Sequence, residues 1–162
     1  MTSEERGRLI ESYENAPAAL EQAINGLPDA EWDFKPAPDR WSIREIVFHL
    51  TDADVNGYVR CRAAIAEPGK TIMAYDQDRW TQSLNHEGRS VKDALELFRL
   101  IRRTTARLLR SLPEESWSRT IHHPESGVMT LGKWLEIYER HPRSHIDQMR
   151  KLHDQYRLSR GA

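Results

Sequence analysis

A regular helical pattern runs through the segment Leu131-Gly-Lys-Trp-Leu-Glu-Ile-Tyr-Glu-Arg-His141-Pro-Arg-Ser-His145-Ile-Asp-Gln-Met-Arg-Lys-Leu152. Mostly apolar residues recur along this segment in steps of three and four residues. They are Leu131, Trp134, Tyr138, His141, His145, Gln148 or Met149, and Leu152. Residues at that spacing share one face of a helix, and an apolar face turns toward the core. We therefore predict a helix from about Thr130 to Leu158, with two imidazoles one turn apart facing the interior.

Three more segments carry helical periodicity and indicate an all-α fold. They cover about residues 2–26, 42–67 and 90–111. Ser42-Ile-Arg-Glu45 matches a capping box, in which both side chains bind backbone N–H groups at the helix start. Pro17 is expected to kink or split the first helix, because proline lacks a backbone N–H. No strand pair is indicated, so we predict four long helices with long connections at 27–41 and 68–89.

Length and charge limit the possible functions. The 162 residues suit one domain, spanning residues 1–162. Lysine and arginine total 24 against 25 acidic residues, and the net charge of -1 gives no electrostatic basis for binding nucleic acid or an anionic membrane. Cys61 is the only cysteine, which excludes an internal disulfide. The polar N-terminus lacks a secretory signal, so we expect a cytoplasmic protein.

A third histidine lies on the second helical segment. His49 shares one edge of that helix with Asn56 and Arg60. If this edge faces the fourth helix, His49 meets His141 and His145. Three protein ligands with an open position are typical of a catalytic zinc-type site. The alternative is that these histidines are hydrogen-bonded core residues without an ion, and their spacing alone does not decide between the two.

The other histidines have weaker patterns. His122 and His123 precede Pro124 and are expected at the surface or at the rim of a pocket. His86 falls in a polar loop, and His153 lies near a helix end, where we expect contact with solvent.

Four further side chains lie near the predicted site in the sequence. Tyr75 and Trp80 belong to the long connection 68–89, and they either cover the site or pack that loop. Asp52 and Asp54 follow His49 closely, and we expect them to be surface charges or groups that orient the histidines.

Five motifs, taken in order, resemble the DinB-like superfamily of metal-binding four-helix bundles and, within it, the YfiT-type branch of metal-dependent hydrolases. The motifs are Trp41-Ser-Ile-Arg-Glu-Ile-Val-Phe-His49-Leu, Asn56-Gly-Tyr-Val-Arg60, Tyr75-Asp-Gln-Asp-Arg-Trp80, His123-Pro-Glu-Ser-Gly127 and Tyr138-Glu-Arg-His141-Pro-Arg-Ser-His145-Ile. Together they cover nearly the whole chain. Two positions depart from the pattern: Ser144 stands where similar proteins commonly have the first of two paired histidines, and Pro142 is atypical.

The resemblance implies one divalent metal ion, zinc or nickel, held by His49, His141 and His145, and it implies a homodimer. It also implies two chemistries, because related superfamily members are hydrolases or thiol S-transferases that use bacillithiol- or mycothiol-type thiols.

We therefore predict a metal-dependent enzyme with a mononuclear three-histidine site and a small-molecule substrate, acting as a hydrolase or a thiol S-transferase. A metal ion can activate water or hold a thiolate. The predicted substrate-binding residues are Asn56, Arg60, Tyr75 and Trp80, with Arg60 suited to bind a carboxylate. The rival interpretation is a non-catalytic metal-binding or stress-related helical bundle.

Overall fold

Four long helices form most of the protein. The computed structural model describes residues 1–84 and 88–161, so His86 lies outside the described residues. The helices are α1 (Ser3–Ile24), α2 (Asp29–Trp32), α3 (Ile43–Ala66), α4 (Gln77–Ser83), α5 (Val91–Arg110) and α6 (Leu131–Ser159). A 3-10 turn (Glu114–Ser118) and the strands β1 (Thr120–His123) and β2 (Gly127–Thr130) lie between α5 and α6. Within the described ranges, no helix is both long and apolar enough to cross a membrane.

The long helices begin where the sequence places capping residues. One side-chain hydroxyl before each of α1, α3, α5 and α6 accepts a hydrogen bond from the backbone N–H three residues on; these are Thr2, Ser42, Ser90 and Thr130. Such caps satisfy N–H groups that have no partner inside the helix. The predicted starts of all four long helices and the predicted four-helix bundle are therefore confirmed.

The order of the helices around the bundle differs from their order in the chain. Each long helix packs against two others, in the cyclic order α1, α5, α3, α6. The pairs α1 with α3 and α5 with α6 therefore lie diagonally across the bundle, although each pair is consecutive among the long helices. This order places α3 directly against α6.

A short β-hairpin corrects the prediction that the chain has no strand pair. β1 and β2 pair antiparallel, with Ile121 opposite Met129, and Gly127 takes a positive φ of 74° at the turn. A residue with a side chain rarely adopts that conformation. Ile72 and Lys70 add backbone hydrogen bonds to His122 on the other side of β1. Strands of four residues are too short to show a clear alternation in the sequence.

Pro17 does not split the first helix, so the splitting alternative of the prediction is wrong. Helix α1 continues through it, as α6 continues through Pro142. A proline at position i leaves the carbonyl of residue i−4 without its helical donor. Here those carbonyls belong to Tyr13 and Tyr138, and the Arg102 guanidinium donates to both, at 3.0 and 2.9 Å.

The core consists of two apolar clusters with a polar layer between them. One cluster includes Tyr13 and Trp134, and the other includes Phe48 and Phe98. Asp54 lies between the residues of the two clusters on α3, and Arg102 lies between them on α5. The centre of the polar layer is Arg102, which pairs with Asp54; both side chains are fully buried, with Nε–Oδ2 and Nη2–Oδ1 distances of 2.6 and 2.9 Å. Asp54 is thus a buried ion-pair partner, so the surface-charge alternative predicted for this residue is wrong.

Candidate metal centre

Three imidazoles converge where α3 packs against α6. His49 comes from α3, and His141 and His145 lie one turn apart on α6. The Nε2 atom of His141 is 3.2 Å from that of His49 and 3.1 Å from that of His145. All three ligand atoms lie within 4.8 Å of one another. We call these residues the three-histidine centre.

Hydrogen bonding alone does not satisfy this centre. Gln148 Oε1 lies 3.0 Å from Nδ1 of His145, so Nδ1 carries the proton and Nε2 of His145 offers a lone pair. His141 Nε2 faces two imidazole nitrogens but holds at most one proton, so it can donate to only one of them. His141 Nδ1 is buried without a hydrogen-bond partner among the described residues.

A divalent cation fits the arrangement. One ion can accept a lone pair from each of the three rings. By contrast, no combination of imidazole tautomers provides a hydrogen bond for both of the close Nε2 pairs while His145 Nδ1 carries its proton. Ligand nitrogens about 2.0–2.1 Å from a tetrahedral zinc ion lie about 3.3 Å apart. Two of the three Nε2 separations, 3.2 and 3.1 Å, are close to that value, and all three ligand atoms lie within 4.8 Å of one another.

The protonation state also suits a metal. Burial, followed by charge repulsion from His145, lowers the pKa of His49 to about 3 and the pKa of His141 to about 2. Burial also lowers the pKa of His145, while its hydrogen bond to Gln148 acts in the opposite direction. The rings are therefore neutral near pH 7, which is the form that binds metal ions.

Trp41 and Gln148 support the centre, although we predicted a role in it for neither residue. The Trp41 ring lies against His49 and His145, with ring-centroid distances of 4.6 and 6.0 Å. It directly precedes the capping residue Ser42, which fixes its place at the start of α3. The spacing of three residues between His145 and Gln148 was the signal for their contact.

Three of the predicted substrate-binding residues share one cleft. Asn56, Arg60 and Trp80 line a cleft of about 500 Å³ beside α3, and the fourth residue, Tyr75, packs against Trp80 with centroids 4.7 Å apart. The three histidines are not among the residues that line it. Asn56 lies seven residues after His49, or about 10 Å farther along the helix. The structure thus groups these residues next to the three-histidine centre rather than around it.

Arg60 connects the cleft to α6 and retains unused donors. Its guanidinium donates to the Tyr138 hydroxyl at 3.2 Å and to the Met73 carbonyl at 2.8 Å. Its Nε and the Tyr75 hydroxyl are buried without hydrogen-bond partners in the described part of the chain. Burial raises the pKa of Tyr75, so its hydroxyl remains a donor. None of the ion pairs between described residues involves Arg60.

The remaining described histidines lie outside the centre. His122 is exposed, as expected. His123 is buried instead, and its Nδ1 accepts hydrogen bonds from two backbone N–H groups of the β1–β2 turn. His153 is partly exposed, and its Nδ1 lies 2.8 Å from a carboxylate oxygen of the buried Glu31.

Comparison with known proteins identifies the family of the chain. The DinB superfamily matches residues 12–149, a range that contains all three histidines. The chain belongs to the DinB superfamily. The family resemblance noted in the sequence is thereby confirmed.

Individual relatives in the DinB superfamily resemble the chain over most of its length. It is 29% identical over 143 residues to "Putative metal-dependent hydrolase OB0782" of Oceanobacillus iheyensis, covering 88% of this chain and 83% of that protein. It is 27% identical over 153 residues to "Putative metal-dependent hydrolase YfiT" of Bacillus subtilis, covering 94% and 86%. The solved structure of YfiT superposes with a TM-score of 0.90 at 26% identity, covering 96% of this chain and 90% of that one. YfiT is described as "a probable metal-dependent hydrolase with an unusual four-helix bundle topology".

Proposed function

We propose that the protein is a metal-dependent hydrolase whose three-histidine centre holds one zinc or nickel ion. The convergence of three neutral imidazoles through their Nε2 atoms supports this proposal most directly. The relatives named as metal-dependent hydrolases support the reaction class. Three protein ligands leave a coordination position open, as in catalytic zinc sites.

A metal ion bound in such a site supplies an acidified water molecule as nucleophile. The chain's own residues would hold the ion and bind the substrate. Trp41 covers His49 and His145 on one side, which excludes water from that part of the centre. Gln148 fixes the tautomer and orientation of the His145 ring.

The cleft indicates a small substrate with a negative charge. Arg60 has no carboxylate partner among the described residues, and its Nε and the nearby Tyr75 hydroxyl are unused donors. A carboxylate matches a guanidinium in both charge and geometry. We propose that Arg60 binds a carboxylate of the substrate and that Asn56, Tyr75 and Trp80 complete the binding site. We also propose that the protein is cytoplasmic.

Metal analysis tests the centre itself. Protein purified without chelators should contain one zinc or nickel ion per chain, and His145→Ala should lose most of it because two imidazoles hold an ion weakly. His153→Ala is the matched control, since it removes the same side chain from the same helix away from the centre. Equal metal content in wild type and His145→Ala would overturn the proposal.

Turnover assays then test the reaction. The metal-loaded protein should hydrolyse members of a panel of carboxylate-bearing esters and amides without an added thiol. Arg60→Met should lower kcat/KM for these substrates by about 10- to 100-fold, because hydrogen bonds to a charged group contribute about 1.5–3 kcal/mol. Turnover that requires bacillithiol or mycothiol would assign the protein to the S-transferases instead. A metal-loaded protein inactive in both assays would support the non-catalytic interpretation.

A further inference from the structure

Arg102 contacts all three of the other long helices from the middle of α5. It pairs with Asp54 on α3 and donates to the carbonyl oxygens of Tyr13 on α1 and Tyr138 on α6. Its guanidinium carbon lies 4.2 and 4.6 Å from the ring centroids of Tyr13 and Phe98. The side chain is fully buried. One cation therefore links the four long helices at a single level of the bundle.

Both carbonyls that Arg102 binds are free for the same reason. Tyr13 lies four residues before Pro17, and Tyr138 lies four residues before Pro142. In an α-helix, the N–H at position i+4 would bond to each carbonyl, but proline has none. A buried carbonyl without a donor is costly. The Arg102 fork, with five N–H donors in one plane, supplies a donor to each carbonyl and still binds Asp54.

Only one of these two carbonyls belongs to a helix that carries metal ligands. Tyr138 lies one turn before His141, and His141 directly precedes Pro142 on α6. Helix α1 contains no histidine. The position of the Tyr138 carbonyl sets the path of the α6 backbone from which His141 and His145 project. Arg102 thus makes the same kind of hydrogen bond to α1 and to α6, but only α6 carries histidines of the three-histidine centre.

We propose that Arg102 is a positioning residue of the three-histidine centre, acting through its hydrogen bond to the Tyr138 carbonyl. This inference rests on the proposed metal-binding function. In this role, Arg102 supplies the hydrogen bond to the Tyr138 carbonyl that Pro142, which lacks an N–H, cannot donate. His141 can then approach His49 and His145 closely although a proline interrupts the helical hydrogen bonds beside it.

A rescue experiment tests this role. Arg102→Lys retains the positive charge but lacks the planar fork, so it cannot serve Asp54 and both carbonyls together. We expect it to weaken Zn²⁺ binding, measured by competition with a chromogenic chelator, by about 10- to 100-fold, the range for residues that orient metal ligands. Adding Pro142→Ala restores an N–H for the Tyr138 carbonyl and should recover the affinity.

Pro17→Ala is the matched control. Added to Arg102→Lys, it supplies the equivalent N–H to Tyr13 on α1, so it should raise the stability of the metal-free protein without recovering Zn²⁺ affinity. Recovery by both proline substitutions alike would show that Arg102 acts only through general stability and would overturn the inference. Unchanged Zn²⁺ affinity in Arg102→Lys would do the same.

Wild-type protein offers a second readout that does not depend on the folding of any variant. Coupling between two sites is reciprocal, so if Arg102 promotes Zn²⁺ binding, Zn²⁺ must strengthen the hydrogen bonds of Arg102. Exchange of the Arg102 guanidinium protons, followed by NMR, should therefore slow when Zn²⁺ is added. Exchange that is unchanged in a Zn²⁺-bound protein overturns the inference alone, whereas a wild-type chain that does not bind Zn²⁺ overturns the proposed centre as well.

Discussion

Each imidazole of the three-histidine centre has a different environment on the side away from the other two. Gln148 accepts from His145 Nδ1, the Trp41 ring packs on His49, and His141 Nδ1 is buried without a partner among the described residues. At Nδ1, the His145 tautomer is fixed by a hydrogen bond to the Gln148 side chain, whereas His141 Nδ1 has no such partner among residues 1–84 and 88–161. We attribute the orientation of the other two rings to packing.

The neutral imidazoles of the three-histidine centre should make the metal-free protein sensitive to acid. Their pKa values are lowered in the folded state, to about 3 for His49 and about 2 for His141, whereas an unfolded histidine titrates near 6.5. Below about pH 6.5 the unfolded chain binds protons that the folded chain does not, so stability falls as the pH decreases from there toward 3. Urea unfolding between pH 8 and pH 5 measures this loss.

The slope of the unfolding free energy against pH identifies the residues responsible for this loss of stability. Each buried histidine contributes at most about 1.4 kcal/mol per pH unit. His49→Gln should therefore reduce the slope by up to that amount below pH 6.5. A metal-free protein whose stability does not change between pH 7 and pH 5 would contradict the neutral, buried state of these rings.

At the scale of elements, the long helices could be predicted because their signals are local. Capping residues and apolar periodicity mark their starts, and the spacing of His141 and His145 places both on one face. The hairpin could not be predicted in this way, since its short strands pair through backbone hydrogen bonds. The Asp54–Arg102 pair was missed because its partners are 48 residues apart, and no local pattern marks two charges that meet in a core.

Close packing of α3 on α6 depends on a glycine. A methyl group at Gly57 would overlap the Tyr138 ring, whereas one at Gly7 on α1 would meet nothing within 4 Å. Gly57→Ala should therefore destabilise the protein by about 1–3 kcal/mol through overpacking, despite the higher helix propensity of alanine. Gly7→Ala, as the control, should stabilise it by about 0.5–1 kcal/mol. Chemical denaturation of both variants tests the difference, and stabilisation by both would show that Tyr138 does not need this space.

At the scale of the whole molecule, an apolar surface on α3 and α5 is the place where we expect the predicted homodimer to form. Val59 is 61% exposed and Leu97 is 44% exposed there, beside Val55 and Leu100. Val59→Glu should convert the dimer to a monomer, because burying a charge opposes association. Leu158→Glu is the control, since Leu158 is 77% exposed near the end of α6. Light scattering coupled to size-exclusion chromatography measures both masses; a wild-type monomer, or a Val59→Glu dimer, would contradict this prediction.

The order of the helices around the bundle means that the three-histidine centre forms only after α3 and α6 have packed against each other. His49 and His141 are 92 residues apart and meet only across the contact between α3 and α6. A partly folded chain that lacks a docked α6 would present His49 alone, which retains a cation poorly. Ion uptake would thus follow completion of the tertiary structure, and a captured ion would selectively stabilise chains that have finished folding.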